Sequence, residues 1–356
     1  MSSTTQRLRI GILAPPMIPI PPPAYAGTER IIAVLAAELE QRGHSVTVFA
    51  SGDSDPAGEL VAVMPDSTWK HDGEGGGMPG LVLSTAHAWR QQDRFDVVHS
   101  HVEAAGFLFA RYARLPVVST LHGRLDIDGM PELLDEFGDV PLVAISESQR
   151  RWAPDANWVA TIHHGLPLAE MPPNPEPGDY LLFLGRTVPE KGVAEAVEVA
   201  RETALPLHVI AKVNTLDEYA TFAEIIEPEL GKGLVEFHGE LAPADRDPML
   251  AGARATLMLG AWPEPFGLVA IESLGTGTPV IARRAGALPE IIEHGVDGFL
   301  VDDVTEARLA VERLGELDRV HIRERAIERF SAERMTDDYE TLFLRLVEEH
   351  GRAGSR

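Results

Sequence analysis

The stretch EPFGLVAIESLG, Glu264 to Gly275, sets two carboxylates eight positions apart in an otherwise apolar segment. Pro265, Phe266 and Gly267 resist regular structure, and Leu268 to Leu274 then reads as a helix stopping near Gly275. Glu264 therefore belongs to the loop before a helix, and Glu272 to the helix itself. At ~1.5 Å rise per residue, Glu272 stays within side-chain reach of whatever occupies the helix start. The free N–H groups and positive dipole of that end make a natural anion site. Two acceptors flanking an anion cradle suit a ligand that carries both phosphates and hydroxyls. The plainer reading, with Glu264 as a cap and Glu272 facing solvent, is equally open on this stretch alone.

A second stretch, FLGRTVPEKG (Phe183 to Gly192), ends an expected strand at a glycine and brackets a helix start with Arg186 and Lys191. Two cations there suit a diphosphate, Arg with a planar fork and Lys with a point charge. An exposed Arg and Lys beside Glu190 is the competing account. A third residue, His122, follows the apolar run PVVSTL and so stands at a strand's C-terminal end.

Both halves of the chain read as strands alternating with helices, the pattern of parallel α/β sheets. In the first half the apolar runs are Leu8–Ala14, Ser45–Ala50, Asp96–His99, Pro116–Thr120 and Pro141–Ile145, and Thr28 to Arg42 has helical spacing. The segment Pro65 to Gly80 reads as a surface loop. The run Pro167 to Asp179, with five prolines, reads as a linker. The second half offers strands at Tyr180–Leu184, Leu207–Ala211, Leu234–Phe237, Ala255–Leu259, Pro279–Ala282 and Gly298–Val301. The expected organisation is a domain over 1–166, a linker over 167–179, a domain over 180–331, a terminal helix over 332–349 and a tail over 350–356. Two Rossmann-like halves bind ligands beyond their strand C-termini, which predicts a cleft between them.

Composition narrows the classes. The 44% hydrophobic and 24% charged residues match a globular protein made for water. Zero cysteines exclude disulfides and thiolate chemistry. No apolar run of ~18 residues marks a membrane span and no signal peptide opens the chain, so a cytoplasmic location is expected. With 31 basic against 55 acidic residues, net −24, neither nucleic acid nor a strong membrane association is expected. Any anionic ligand must be held by a few local donors against the overall field.

The strand–GR–x4–K–helix unit, followed about eighty residues later by EPFG…E, resembles the family-4 retaining glycosyltransferases of the GT-B fold, an α/β architecture. Further matches are AYAGTER, STLHGR, the run on to GTPVIA, and HGVDGFLV, so the resemblance spans nearly the whole chain. It implies a terminal helix crossing back to the first domain, Glu272 on the ribose hydroxyls and Glu264 near the donor sugar. It likewise implies Arg186 and Lys191 on the diphosphate, helped by backbone N–H groups around Phe266, Gly267 and Leu268. Gly27 of AYAGTER corresponds to a glycine loop that approaches the donor phosphate, although Ala26-Gly27 stands where Gly-Gly is common; otherwise Gly27 is a turn residue before an N-cap Thr28. His122 corresponds to the histidine that contacts the donor sugar at the reaction centre.

The expected reaction is retaining hexosyl transfer from a nucleotide sugar, UDP ahead of GDP or ADP, to a hydroxyl acceptor. His101 and Glu103, in HSHVEAAGF, are offered as an acceptor wall. No cofactor and no metal are expected: His99/His101 and His163/His164 lack a matching carboxylate, and the Asp53–Asp55 and Asp126–Asp128 triplets read as turn chemistry or acceptor contacts. The rival readings are a sugar-nucleotide epimerase or hydrolase on the same fold, and a non-catalytic nucleotide-sugar-binding protein.

Overall fold

The computed structural model describes residues 6–24, 26–68 and 77–354. The chain divides into two compact units, Met1–Leu166 with Ala332–Arg356, and Pro167–Ser331.

Unit 1 holds seven parallel strands: β1 (Arg9–Leu13), β2 (Ser45–Ser51), β3 (Glu59–Met64), β4 (Val97–Ser100), β5 (Val117–Thr120), β6 (Leu142–Ala144) and β7 (Trp158–Thr161). Their order is β3-β2-β1-β4-β5-β6-β7, with every pairing parallel. Central strands covered on both faces need apolar side chains throughout, which is why β1, β2 and β4 are legible as runs. The edge strands β3 and β7 are less covered: β3 is mostly half-exposed despite its apolar LVAVM run, and all four residues of β7 are half-buried.

The Gly27–Gln41 helix buries Ile31, Ile32, Leu35 and Leu39. Its N-cap is Ala26, in extended conformation with no side-chain bond, so Thr28 lies inside the first turn and does not cap it. Of the expected Pro65–Gly80 loop, residues 69–76 fall outside the described residues, and from Gly77 the chain is already helical to Gln91. Pro79 sits in that helix's first turn, where a missing N–H costs little.

The terminal helix runs Ala332–Gly354, five residues past its expected end, so most of the supposed tail is helical. Met335, Tyr339, Leu342, Phe343 and Leu346 are buried in unit 1. Arg42 fixes the helix through Asp337 (2.6 Å) and Glu340 (3.0 Å).

Unit 2 holds β8 (Leu181–Arg186), β9 (Leu207–Lys212), β10 (Val235–Gly239), β11 (Ala255–Met258), β12 (Val280–Arg283) and β13 (Gly298–Val301). The order is β10-β9-β8-β11-β12-β13, again all parallel. Leu181, Phe183, Val197, Val209, Leu257 and Ile281 share one core. The proline-rich segment 167–179 is no free spacer. Leu168 is buried, Asn174 N donates to Thr276 O, and Arg319 Nε donates to Asn174 O at 2.8 Å.

Candidate functional site

Unit 2 brings its two informative stretches together. Strand β8 carries Arg186 as its last residue, and a single 3-10 turn, Pro189–Lys191, delivers Lys191. Gly192 then caps the Val193–Thr203 helix at φ +78°, a left-handed conformation that favours glycine. A Cβ on Gly192 would fall 2.3 Å from Gly260 N, so the turn and the segment leading to Glu264 touch backbone to backbone. Gly192→Ala is therefore expected to dislodge Lys191 and cut turnover at least tenfold while far-UV circular dichroism stays near wild type. Full activity in that variant would show that the close approach does not matter.

The Lys191 ammonium forms an ion pair with the Glu264 carboxylate and stands 5.6 Å from the Trp262 ring centre. Arg186 Nε donates to Glu218 Oε1 at 2.6 Å. The Arg186 side chain is 54% exposed, and its two Nη atoms make no hydrogen bond among the described residues, which leaves the outer fork open. Glu218 is a buried residue the sequence reading passed over. Its other oxygen accepts from Asn214 N (2.7 Å) and Thr215 N (3.0 Å) in a capping box with Thr215. Burial would raise its pKa, but the Arg186 bond and these N–H groups outweigh burial and lower it. The signal was legible as Thr-x-x-Glu before a helix.

The helix after EPFG runs Leu268–Gly275, as expected, and all its residues are buried. Gly267 precedes it at φ +112° and offers no side-chain cap; Ala270 N donates to Gly267 O at 3.0 Å, so the N–H groups of Leu268 and Val269 are those without an intrahelical acceptor. Phe266 is buried beside it. Glu272 does not face solvent: its side chain has no exposed surface and pairs with Arg246 at 2.8 Å. Arg246, from the Pro243–Gly252 helix, also holds Asp247 at 2.7 Å. Nothing in the pattern of ADRDP marked it. A ribose reaching Glu272 must share that carboxylate with Arg246.

In unit 1, His122 lies just past β5. Its Nε2 is 2.8 Å from His101 Nδ1, and His101 Nε2 is 3.2 Å from His99 Nδ1. His101 is completely buried with both ring nitrogens engaged, so it stands behind His122 and forms no open acceptor wall. Glu103 adopts φ +48°, strained for a residue with a Cβ, and accepts from His122 N and Gly123 N. Burial pushes its carboxyl up to about 7. Asp126 is tied to Arg124, and Asp53 accepts from Ser67 N and Oγ. Gly27 opens its helix directly after Ala26; residue 25 is outside the described residues.

Burial, reinforced for His99 by the neighbouring His122 ring, holds His99 near pKa 3 and His122 near 4, with His101 and His164 well below their ordinary value. Unfolded, these imidazoles take protons near 6.5, so stability is full above that pH and falls as the pH drops towards 4. Glu103 opposes them, since its raised pKa favours the folded state as the pH falls from 7 to 4.5. Four groups outweigh one. The urea midpoint is expected to fall between pH 7 and 5; a flat or rising midpoint would contradict a neutral histidine cluster.

One further cluster escaped the sequence reading. His208, Glu236 and His238 are the only group among the described residues whose ligand atoms converge for a metal ion.

The two halves match two family models: residues 25–182 match "Glycosyltransferase Family 4" and residues 169–329 match "Glycosyl transferases group 1". A D-inositol 3-phosphate glycosyltransferase of Pseudarthrobacter chlorophenolicus is 26% identical over 337 residues, covering 78% of each chain. A phosphatidyl-myo-inositol mannosyltransferase of Mycobacterium leprae is 26% identical over 356 residues, covering 90% of each. Among solved structures, the avilamycin A biosynthesis glycosyltransferase AviGT4 matches with TM-score 0.71 at 24% identity, over 96% of this chain and 98% of that one. Anabaena HepE, crystallised with UDP-glucose, matches with TM-score 0.73 at 17% identity, over 94% and 99%. These likenesses, with the motifs and two parallel sheets, make the chain a glycosyltransferase of the GT-B fold, a member of the group 1, family 4 transferases.

Proposed function

We propose that the protein moves a hexosyl group from a UDP-sugar to a hydroxyl of a soluble acceptor, with retention at the anomeric carbon and without a metal. The observation that carries this reading is the meeting of Lys191 with Glu264, near Arg186 and the uncapped start of the Leu268–Gly275 helix. The diphosphate takes the open fork of Arg186, the Lys191 ammonium and the N–H groups at Gly267 and Leu268. Glu264, released from Lys191, accepts from a sugar hydroxyl, and Glu272 accepts from the ribose. The anomeric carbon–oxygen bond to the β-phosphate breaks as the acceptor oxygen bonds to that carbon on the same face. The departing phosphate oxygen takes the acceptor's proton. Fixed positive charge at the leaving group supplies most of the rate enhancement.

HepE, crystallised with UDP-glucose, supports the choice of UDP. By their names, the two curated relatives act on inositol phosphate and on phosphatidylinositol. The net charge of −24 favours the soluble kind here. No helix among the described residues is long and apolar enough to cross a membrane, in keeping with a proposed cytoplasmic site of action.

The test is a release assay over UDP-, GDP- and ADP-hexoses in EDTA, followed by an acceptor screen with the best donor and anomeric assignment of the product by NMR. Fastest turnover of a UDP-hexose, undiminished by EDTA, with a retained product is expected. Activity lost to EDTA and restored by magnesium or manganese, or an inverted product, would refute the corresponding part.

A further inference from the structure

The buried histidines of unit 1 form part of a longer chain of hydrogen bonds whose direction is fixed at one end. Tyr339 Oη, on the terminal helix, lies 3.0 Å from Thr120 Oγ1, which lies 2.7 Å from His99 Nε2. From there the chain runs through His101 to His122. Each neutral imidazole has one N–H and one bare nitrogen, so the proton position on one ring dictates the next. Tyr339 is fully buried, and Thr120 is the sole hydrogen-bond partner of its hydroxyl among the described residues. A buried O–H left without an acceptor is strongly unfavourable, because it has given up its hydrogen bond to water for nothing. The Tyr339 proton must therefore point at Thr120.

The rest follows link by link. Thr120 then donates to His99 Nε2, His99 donates from Nδ1 to His101 Nε2, and His101 donates from Nδ1 to His122 Nε2. Burial keeps all three rings neutral. We propose that this one-way relay, anchored by Tyr339, holds His122 as the Nδ1–H tautomer. His122 is thereby a hydrogen-bond donor and is barred from acting as a base through Nε2. Thr120, His99, His101 and Tyr339 are positioning residues. That the donor meets a hydroxyl or ring oxygen of the transferred sugar rests on the proposed function; the tautomer does not.

Long-range 1H–15N correlation of the histidine rings at pH 7.5 reads the tautomer directly, with His122 assigned by its loss in His122→Gln. Wild type is expected to show His122 protonated on Nδ1 and bare on Nε2. Tyr339→Phe frees Thr120 to accept from His99, so a population of His122 protonated on Nε2 is expected, with kcat lowered several-fold and donor KM little changed. Nε2–H in the wild type overturns the relay, whether or not the variant folds. An unchanged His122 tautomer in a folded Tyr339→Phe overturns the anchoring role. Correct tautomers in an inactive protein would instead count against glycosyl transfer.

His208 on β9 is the register partner of Glu236 on β10, and His238 follows on the same face of β10. His208 Nδ1 and His238 Nε2 are 2.9 Å apart, and Glu236 Oε2 lies 3.9 and 4.0 Å from them. Ligands of tetrahedral zinc at ~2.0–2.1 Å stand about 3.4 Å apart, close to this arrangement, and Tyr180 packs on the His208 ring at 4.3 Å. We infer a zinc-type site that clips the edge strand β10 to β9. His208 pairs with Leu182, four positions before Arg186, roughly 13 Å along the strand from the proposed diphosphate donors. Calorimetric titration of Zn2+ into EDTA-stripped protein should show one site, absent in His208→Ala/His238→Ala, with donor turnover the same in both. No binding by wild type, or equal binding by the double variant, would overturn the site.

Discussion

Replacing Lys191 by alanine is expected to reduce kcat/KM for the donor by roughly 10²–10⁴-fold. Removing one preorganised donor from the charge that develops on the leaving group typically costs about 10²–10³-fold. Here the loss falls twice, because the diphosphate loses a cation and meets an uncompensated Glu264 in its place. Adding Glu264→Gln to the alanine variant should recover part of the donor affinity without recovering turnover. Arg186→Lys should also lose activity, since a point charge cannot hold Glu218 and a phosphate through one planar fork. Steady-state kinetics at limiting donor decide the matter, and unchanged values for both single variants would remove the diphosphate from these residues.

The second large effect separates the two glutamates. Glu272→Gln should weaken nucleoside diphosphate affinity about tenfold to a hundredfold, the worth of one charge-assisted hydrogen bond of roughly 1.5–3 kcal/mol. It should also lower the melting temperature, because the buried Arg246 guanidinium loses the carboxylate charge it pairs with at 2.8 Å. Glu264→Gln should lower turnover and leave nucleoside diphosphate affinity unchanged or tighter, since Lys191 is released. Equal loss of product affinity in both variants would show that the carboxylates serve one moiety.

Much of this was legible because interior parallel strands must be apolar along their whole length. All eleven expected strands exist, within two residues at each end, and the helix after EPFG has its expected bounds. The edge strands β3 and β7 carry short apolar runs too, LVAVM and WVA, yet neither is among the expected strands; their half-exposed residues lack the two-sided burial of the interior strands. At the candidate site, the spacing of Arg186, Lys191, Glu264 and Glu272 singles these residues out but says nothing of their partners. Glu218 and Arg246 lie 32 and 26 positions from the residues they hold, counted between Arg186 and Glu218 and between Arg246 and Glu272. Such distant pairings leave no periodic trace. His101 illustrates a different limit: the sequence shows it two positions after His99, while packing under the terminal helix decides that neither meets solvent.

Lys191 and its neighbours are proposed to hold the diphosphate of a nucleotide-sugar donor. Calorimetric titration of UDP into wild type and Lys191→Ala, both verified as folded, tests it most directly. Saturable binding at one site in the wild type, weakened at least a hundredfold in the variant, is the predicted result. Equal UDP affinity in the two proteins, or no binding of UDP by the wild type, would contradict it.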